Sequence, residues 1–311
     1  MAMVTKAGVA ILGIYVADLA FRADRQPIMG ETILGTSFMM GPGGKGSNQT
    51  VAAARAGAAV TFISKLGKDN FGDAAMAMYA REGVTVKAEQ VTDNSTGAAY
   101  IFVQNGTGSN AIIVVPGAAG TLSIADVERH AASIQNAAVF MTQLEQPIPV
   151  ALRGLEIARA AGTITILNTA PAAPLDDEIF KLCDYVTPNE SEATGITGID
   201  VSDVATARKA GDVLLRKGAR AAVITLGSQG ALLHTANLSL HIPIVSAGPV
   251  VDTTGAGDAF NGGFAAALAR GETPEAAARF GSAVAGISVT RLGTAPSMPM
   301  LNEVLELMAR G

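Results

Sequence analysis

Short apolar runs alternate with helix-periodic segments along most of this chain, and that alternation limits its fold more than any single motif. Runs at 9–15, 60–64, 138–142, 163–167 and 221–226 are rich in Val, Ile, Leu and Ala. They are too short for core helices and read as buried strands. Segments 48–56, 74–82, 150–161, 204–217, 259–270 and 275–290 read as helices. Strands apolar on both faces need cover on both, which predicts an α/β fold with a central, mainly parallel sheet between two helical layers. Two stretches break the alternation, 31–40 and 98–115, the second a hairpin turning at Asn105-Gly106-Thr107-Gly108. They predict a small β-sheet lid, formed by about 15–41 and 97–116, on a single domain spanning 1–311.

Composition narrows the class. With 311 residues, 49% of them hydrophobic, the chain can build a large core without staples. A single cysteine, Cys183, rules out an internal disulfide and suits a reducing cytoplasm. A net charge of −5 with no basic stripe argues against a nucleic-acid partner. No uncharged run reaches the roughly 18 residues of a membrane span. The histidines, His130, His234 and His241, are scattered and show no zinc-ligand spacing.

Four local patterns carry chemistry. In Asp252-Thr253-Thr254-Gly255-Ala256-Gly257-Asp258, two glycines and an acid precede a predicted helix. Glycine lets backbone N–H groups face outward, and with the helix dipole they favour a phosphate or a developing oxyanion. Asp258 is costly beside an anion unless it has a task, and general-base help to a hydroxyl is such a task. A plain capped turn is the alternative for this segment taken alone.

Gly41-Pro42-Gly43-Gly44-Lys45-Gly46-Ser47-Asn48 formally fits a dinucleotide-binding loop, but it does not directly follow the first strand. It reads better as a glycine wall for a polyol, with Lys45 and Asn48 offering hydrogen bonds. Asp18 and Glu145 follow predicted strands, where ligands bind in open α/β sheets, and carboxylates suit sugar hydroxyls. Lastly, Asn189 and Glu192 are spaced to share a face at a helix start, where they could hold metal-bound waters. The turn Thr225-Leu226-Gly227-Ser228-Gln229-Gly230 is suited to phosphate or ribose contact.

Taken together, these patterns resemble the ribokinase family of carbohydrate kinases, in order and spacing, from Gly13 to Ser297. The resemblance implies a ribokinase-like fold and an ATP-dependent sugar kinase acting on the primary hydroxyl of a pentose, ribose foremost. It implies Asp258 as the base and the N–H groups of Gly255, Ala256 and Gly257 as the anion hole. Asp18, Gly43, Gly44, Lys45, Asn48 and Glu145 would hold the sugar. ATP would meet Asn189, residues 225–230, Gly257 and Ser282, with Mg²⁺ placed through water by Glu192. A monovalent cation, K⁺, would sit among Asp252, Thr254, Ser288, Arg291, Gly293 and Ser297, largely on main-chain carbonyls. The lid would mediate a homodimer.

Two positions depart from the family pattern. Val16 stands where an asparagine accompanies the first-strand aspartate, which would suit 2-deoxyribose, another sugar or a nucleoside. Ser282 stands where a histidine is frequent. A sugar or nucleotide sensor without catalysis is the reading from a different class.

Overall fold

The computed structural model describes residues 6–310; residues 1–5 and 311, which the expected domain range includes, lie outside the described residues. The strands are β1 (Val9–Leu12), β2 (Val16–Ala23), β3 (Ser37–Gly43), β4 (Val60–Gly67), β5 (Thr85–Val91), β6 (Thr96–Gln104) and β7 (Asn110–Gly117). They continue with β8 (Val139–Thr142), β9 (Ile164–Leu167), β10 (Tyr185–Val186), β11 (Ala221–Thr225), β12 (Ala231–Thr235) and β13 (Ser239–Ile242). The helices are α1 (Lys45–Arg55), α2 (Asn70–Arg81), α3 (Ile124–Arg129), α4 (Ala131–Asn136) and α5 (Ile148–Ala160). After them come α6 (Glu190–Thr197), α7 (Val204–Arg216), α8 (Ala256–Ala269), α9 (Pro274–Ser288) and α10 (Leu301–Ala309).

Nine strands form one sheet in the order β13-β12-β11-β10-β9-β8-β1-β4-β5. Pairing is parallel from β11 to β5 and antiparallel only at the β12 and β13 edge. Side chains alternate across a strand, so β1 feeds two cores. Val9 and Ile11 pack with α1, α2, α8 and α9, whereas Ala10 and Leu12 pack with α5 and α7 on the opposite face. Truncating a fully buried residue such as Ile11 to Ala would cost about 2–5 kcal/mol, because the close-packed layers cannot collapse into the gap. Both faces are therefore covered, as the apolar runs require.

The second sheet is small, ordered β3-β2-β6-β7, with β2 and β6 parallel and the other pairs antiparallel. Its β6–β7 hairpin lies where the sequence predicts it. Several boundaries differ from expectation, among them the start of α8, at Ala256 rather than 259, and of α2, at Asn70 rather than 74. The first main-sheet strand stops at Leu12, and Gly13-Ile14-Tyr15 lead directly into β2, so Asp18 belongs to the small sheet rather than to a loop beyond β1. Segment 31–36 is not a strand; β3 starts at Ser37 and takes in Gly41, Pro42 and Gly43. Helix α1 starts at Lys45, three residues earlier than predicted, because Gly44 rather than a polar side chain stands at its N-cap.

Candidate active site

Parallel pairing brings the carboxyl ends of β1, β8, β9, β10 and β11 to one edge, and the small sheet joins there through Gly13–Tyr15. On that edge lie Glu145 after β8, Asn168 after β9, Asn189 after β10 and the turn after β11. Helix α1 opens there as well, and its first turn is tied to the sheet: the Lys45 N–H donates to Glu145 Oε2 at 2.7 Å.

Asp18 reaches this edge from β2. Its carboxylate lies so close over Gly43 that a Cβ there would fall 2.1 Å from Asp18 Oδ1. A side chain at position 43 would displace the acid, which explains glycine at that point of the motif.

Asp258 sits in the first turn of α8 and is 7% exposed. Its Oδ2 accepts from Asn48 Nδ2 and its Oδ1 from Gln49 Nε2, both at 3.0 Å. Burial pushes the Asp258 carboxyl above the usual range, against the pull of Lys45, Asn48 and Gln49. Burial, with Asp258 nearby, pushes Asp18 up to about 6. Glu145 is pushed up to about 7 by burial, despite its Lys45 contacts, with Asp258 and Asp18 adding repulsion. Three acids that feel one another, with one lysine among them, make a polar, poorly solvated pocket edge of the kind that functional sites use.

The turn before α8 is built to hold an anion. Gly255 caps the helix at φ 78°, in the left-handed region where other residues are strained, and no side chain caps the end. Among the described residues no protein acceptor takes the N–H groups of Gly255 or Gly257, whereas that of Ala256 donates to Thr253 O at 3.1 Å. A Cβ on Gly257 would meet nothing within 4 Å, so space lies open in front of it.

Beside this turn, the expected cation residues converge. Asp252 accepts from the Thr254 N–H at 2.9 Å and from the Gly293 N–H at 3.0 Å. Burial raises the Asp252 carboxyl, but those bonds outweigh it and hold the group below its usual range. Ser288 and Ser297 turn their hydroxyls onto Ala285 O and Thr294 O, and Arg291 pairs with Glu303. Their side chains are thus occupied, so a cation here would depend on main-chain carbonyls and the Asp252 carboxylate, hard donors of low total charge suited to a monovalent ion. Thr294 Oγ1 also donates to Pro42 O at 2.8 Å, linking this loop to β3.

Toward the β11 side, Asn189 and Glu192 close a capping box, with the Glu192 N–H on Asn189 Oδ1 at 2.9 Å and the Asn189 N–H on Glu192 Oε2 at 3.0 Å. Burial raises the Glu192 carboxyl. Residues Gly227–Gln229 form a 3₁₀ turn after β11, flanked by Leu226, which is buried, and Gly230. The Thr225 and Ser228 side chains stay partly or fully exposed, whereas Gln229 reaches away to Ser202 O. Ser282 is buried on α9, and among the described residues no hydrogen bond joins it to that turn.

Val16 is 3% exposed and packs in a small apolar cluster with Ile14, Ala99 and Ala119. Sequence reasoning missed the buried amides Gln49, which bonds Asp258, and Gln143 and Asn168, which bond Gln49. The signal available was position: Gln49 follows Asn48, and Asn168 follows a strand.

Comparison with known proteins agrees with this fold. Residues 6–301 match the pfkB family carbohydrate kinases. A ribokinase of Haemophilus influenzae is 40% identical over 280 residues, covering 90% of this chain and 91% of its own. A deoxyribokinase of Salmonella typhi is 35% identical over 97% of this chain and 98% of its own. The solved Arabidopsis thaliana ribokinase complexed with ribose and ATP superposes with a TM-score of 0.90 at 30% identity, over 97% of this chain and 99% of that one. The chain belongs to the pfkB family of carbohydrate kinases.

Proposed function

We propose that this protein transfers the γ-phosphoryl group of ATP to the primary hydroxyl of ribose, giving ribose 5-phosphate. The observation that carries the reading is the buried Asp258 carboxylate. It stands in the first turn of α8, close enough to Asp18 and Glu145 to raise both carboxyls, and directly after the unpaired N–H groups of Gly255 and Gly257 in the chain. Overall similarity to ribokinases supports the choice of acceptor.

In this account Asp18, Lys45, Asn48 and Glu145 hold the sugar hydroxyls, with Gly43 and Gly44 leaving room for the ring. One Asp258 oxygen takes the proton of the primary hydroxyl as its oxygen bonds to the γ-phosphorus; the bond from phosphorus to the β–γ bridging oxygen breaks, and ADP leaves. Each carboxylate oxygen has a lone pair left after its bond to Asn48 or Gln49, so the base keeps its orientation while accepting the proton. The free N–H groups before and within the first turn of α8 stabilise charge on the transferring phosphoryl oxygens. Asn189, residues 225–230 and Ser282 receive the nucleotide.

Among the described residues no three His, Cys, Asp or Glu side chains are placed to hold a metal ion together, so a divalent ion would rest mainly on phosphates and water. Glu192 is the carboxylate suited to hold Mg²⁺ through such water, and the ion would neutralise phosphate charge. The Asp252 and carbonyl cluster would hold K⁺, raising the positive potential next to the anion hole. The small sheet would act as a lid that excludes water. Its exposed Phe38, Met40 and Ile113 share the face of the sheet opposite to Asp18 and make an apolar surface that a second copy of the chain would cover, giving a homodimer.

The test is ADP release from MgATP with ribose, 2-deoxyribose, fructose or a nucleoside as acceptor. The highest kcat/KM is expected for ribose; a higher value for another acceptor would overturn the substrate, and no acceptor-dependent release would overturn the kinase reading.

A further inference from the structure

Asp258 is braced from behind by a run of buried amides. Gln49 lies on α1 and is fully buried. Its Nε2 donates to Asp258 Oδ1 and to Asn168 Oδ1, each at 3.0 Å, and its Oε1 accepts from Gln143 Nε2. Asn168 in turn donates to Thr187 O at 2.8 Å, Thr187 Oγ1 donates to Asn261 Oδ1 at 2.6 Å, and Asn261 Nδ2 donates to Gly257 O at 2.8 Å. The run therefore starts on the Asp258 carboxylate and ends on the carbonyl of Gly257, one residue before it. It passes through α1 and the ends of β9 and β10. Among these polar atoms the Gln49 amide has one orientation open to it. An ionised carboxylate can only accept, so the atom facing Asp258 has to be nitrogen, and Gln143 fixes the oxygen on the other side.

We propose that Gln49 is the positioning residue for Asp258, with Asn168 as its anchor: together they hold Oδ1 in place and leave the other lone pairs directed at the acceptor hydroxyl. The inference rests on Asp258 being the base. A filler role for Gln49 would also satisfy burial, but a filler needs no donor aimed at the carboxylate. The charged groups facing Asp258 are Lys45 from α1, Asp18 from β2, Glu145 after β8 and Glu192 from α6. None of them occupies Oδ1, so nothing else replaces the Gln49 bond. Removing it takes a donor from the charged form of the acid, which raises the pH at which the base becomes available.

The experiment measures kcat and the KM for ribose from pH 5 to 9 in the parent protein, Gln49→Met, Asn168→Ala and Asp258→Asn, with thermal melts alongside. For Gln49→Met we expect the acid limb of kcat to move up by about one pH unit. Plateau kcat should fall by about tenfold or more, with ribose KM changed by less than about threefold. Asn168→Ala should shift the limb the same way by less, and it decides the matter if Gln49→Met does not fold. Profiles of both variants that overlay the parent's would overturn the inference. Near-parental turnover by Asp258→Asn would instead remove the base on which it rests, an outcome read independently of the amide variants.

Discussion

The Lys45 N–H and the Glu145 carboxylate meet at 2.7 Å across a hundred residues of sequence, and this bond fixes the start of α1 against the end of β8. Glu145 is nonetheless an unfavourable residue for stability, since burial pushes its carboxyl up to about 7. A carboxyl raised on folding binds protons more tightly in the folded state, so its effect on stability worsens as pH climbs from about 4.5 to about 7. Glu145→Gln keeps an acceptor for Lys45 and removes the charge. We expect a higher Tm than the parent at pH 8, by about 3 °C or more, and little difference at pH 4.5. Ribose KM should rise at the same time. Calorimetry at both pH values checks the sign.

The cation cluster predicts a salt-specific activity. Asp252 is its only carboxylate and organises the turn through Thr254 and Gly293. Replacing KCl with choline chloride at constant ionic strength should lower kcat/KM about tenfold, and Asp252→Ala should lower activity and abolish the response to K⁺. Equal rates in both salts would remove the cation from the account.

An apolar lid surface predicts association. Ile113 on β7 and Met40 on β3 lie on one face of the small sheet and are 64% and 53% exposed, clustered apolar exposure of the kind that marks an association surface. Ile113→Glu should convert a dimeric sedimentation profile into a monomeric one; a parent protein that sediments as a monomer at micromolar concentration would refute the interface.

Val16 carries the substrate question. It lies two residues from Asp18 on β2, so the two side chains share a face of the strand. If a ribose hydroxyl meets position 16, Val16→Asn should raise the ratio of kcat/KM for ribose over 2-deoxyribose by about fivefold to a hundredfold. An unchanged ratio would assign Val16 to packing against Ile14 and Ala99 alone.

Much of this fold was legible because a buried parallel sheet demands continuous apolar runs, which is how β4, β8, β9 and β11 announced themselves. Strand β5, Thr85-Val86-Lys87-Ala88-Glu89-Gln90-Val91, did not, since it is an edge strand whose side chains largely face water. The joint at Gly13-Ile14-Tyr15 was invisible for the opposite reason. Ile14 and Tyr15 are buried and apolar, so the end of β1 and the entry to β2 read as one strand. At the site, charge and glycine pointed to Asp258, Asp18 and Gly43. Gln49 and Asn168 gave no such signal, because an amide's role depends on what it faces.

Proton transfer from the sugar hydroxyl to Asp258 is the step on which the proposed reaction depends. Its most direct test is single-turnover phosphoryl transfer from MgATP to ribose by Asp258→Asn, alongside ribose and ATP binding by calorimetry. Binding is expected within about threefold of the parent, with a transfer rate lower by about 10²–10⁴-fold. Transfer at a near-parental rate with binding intact would contradict it.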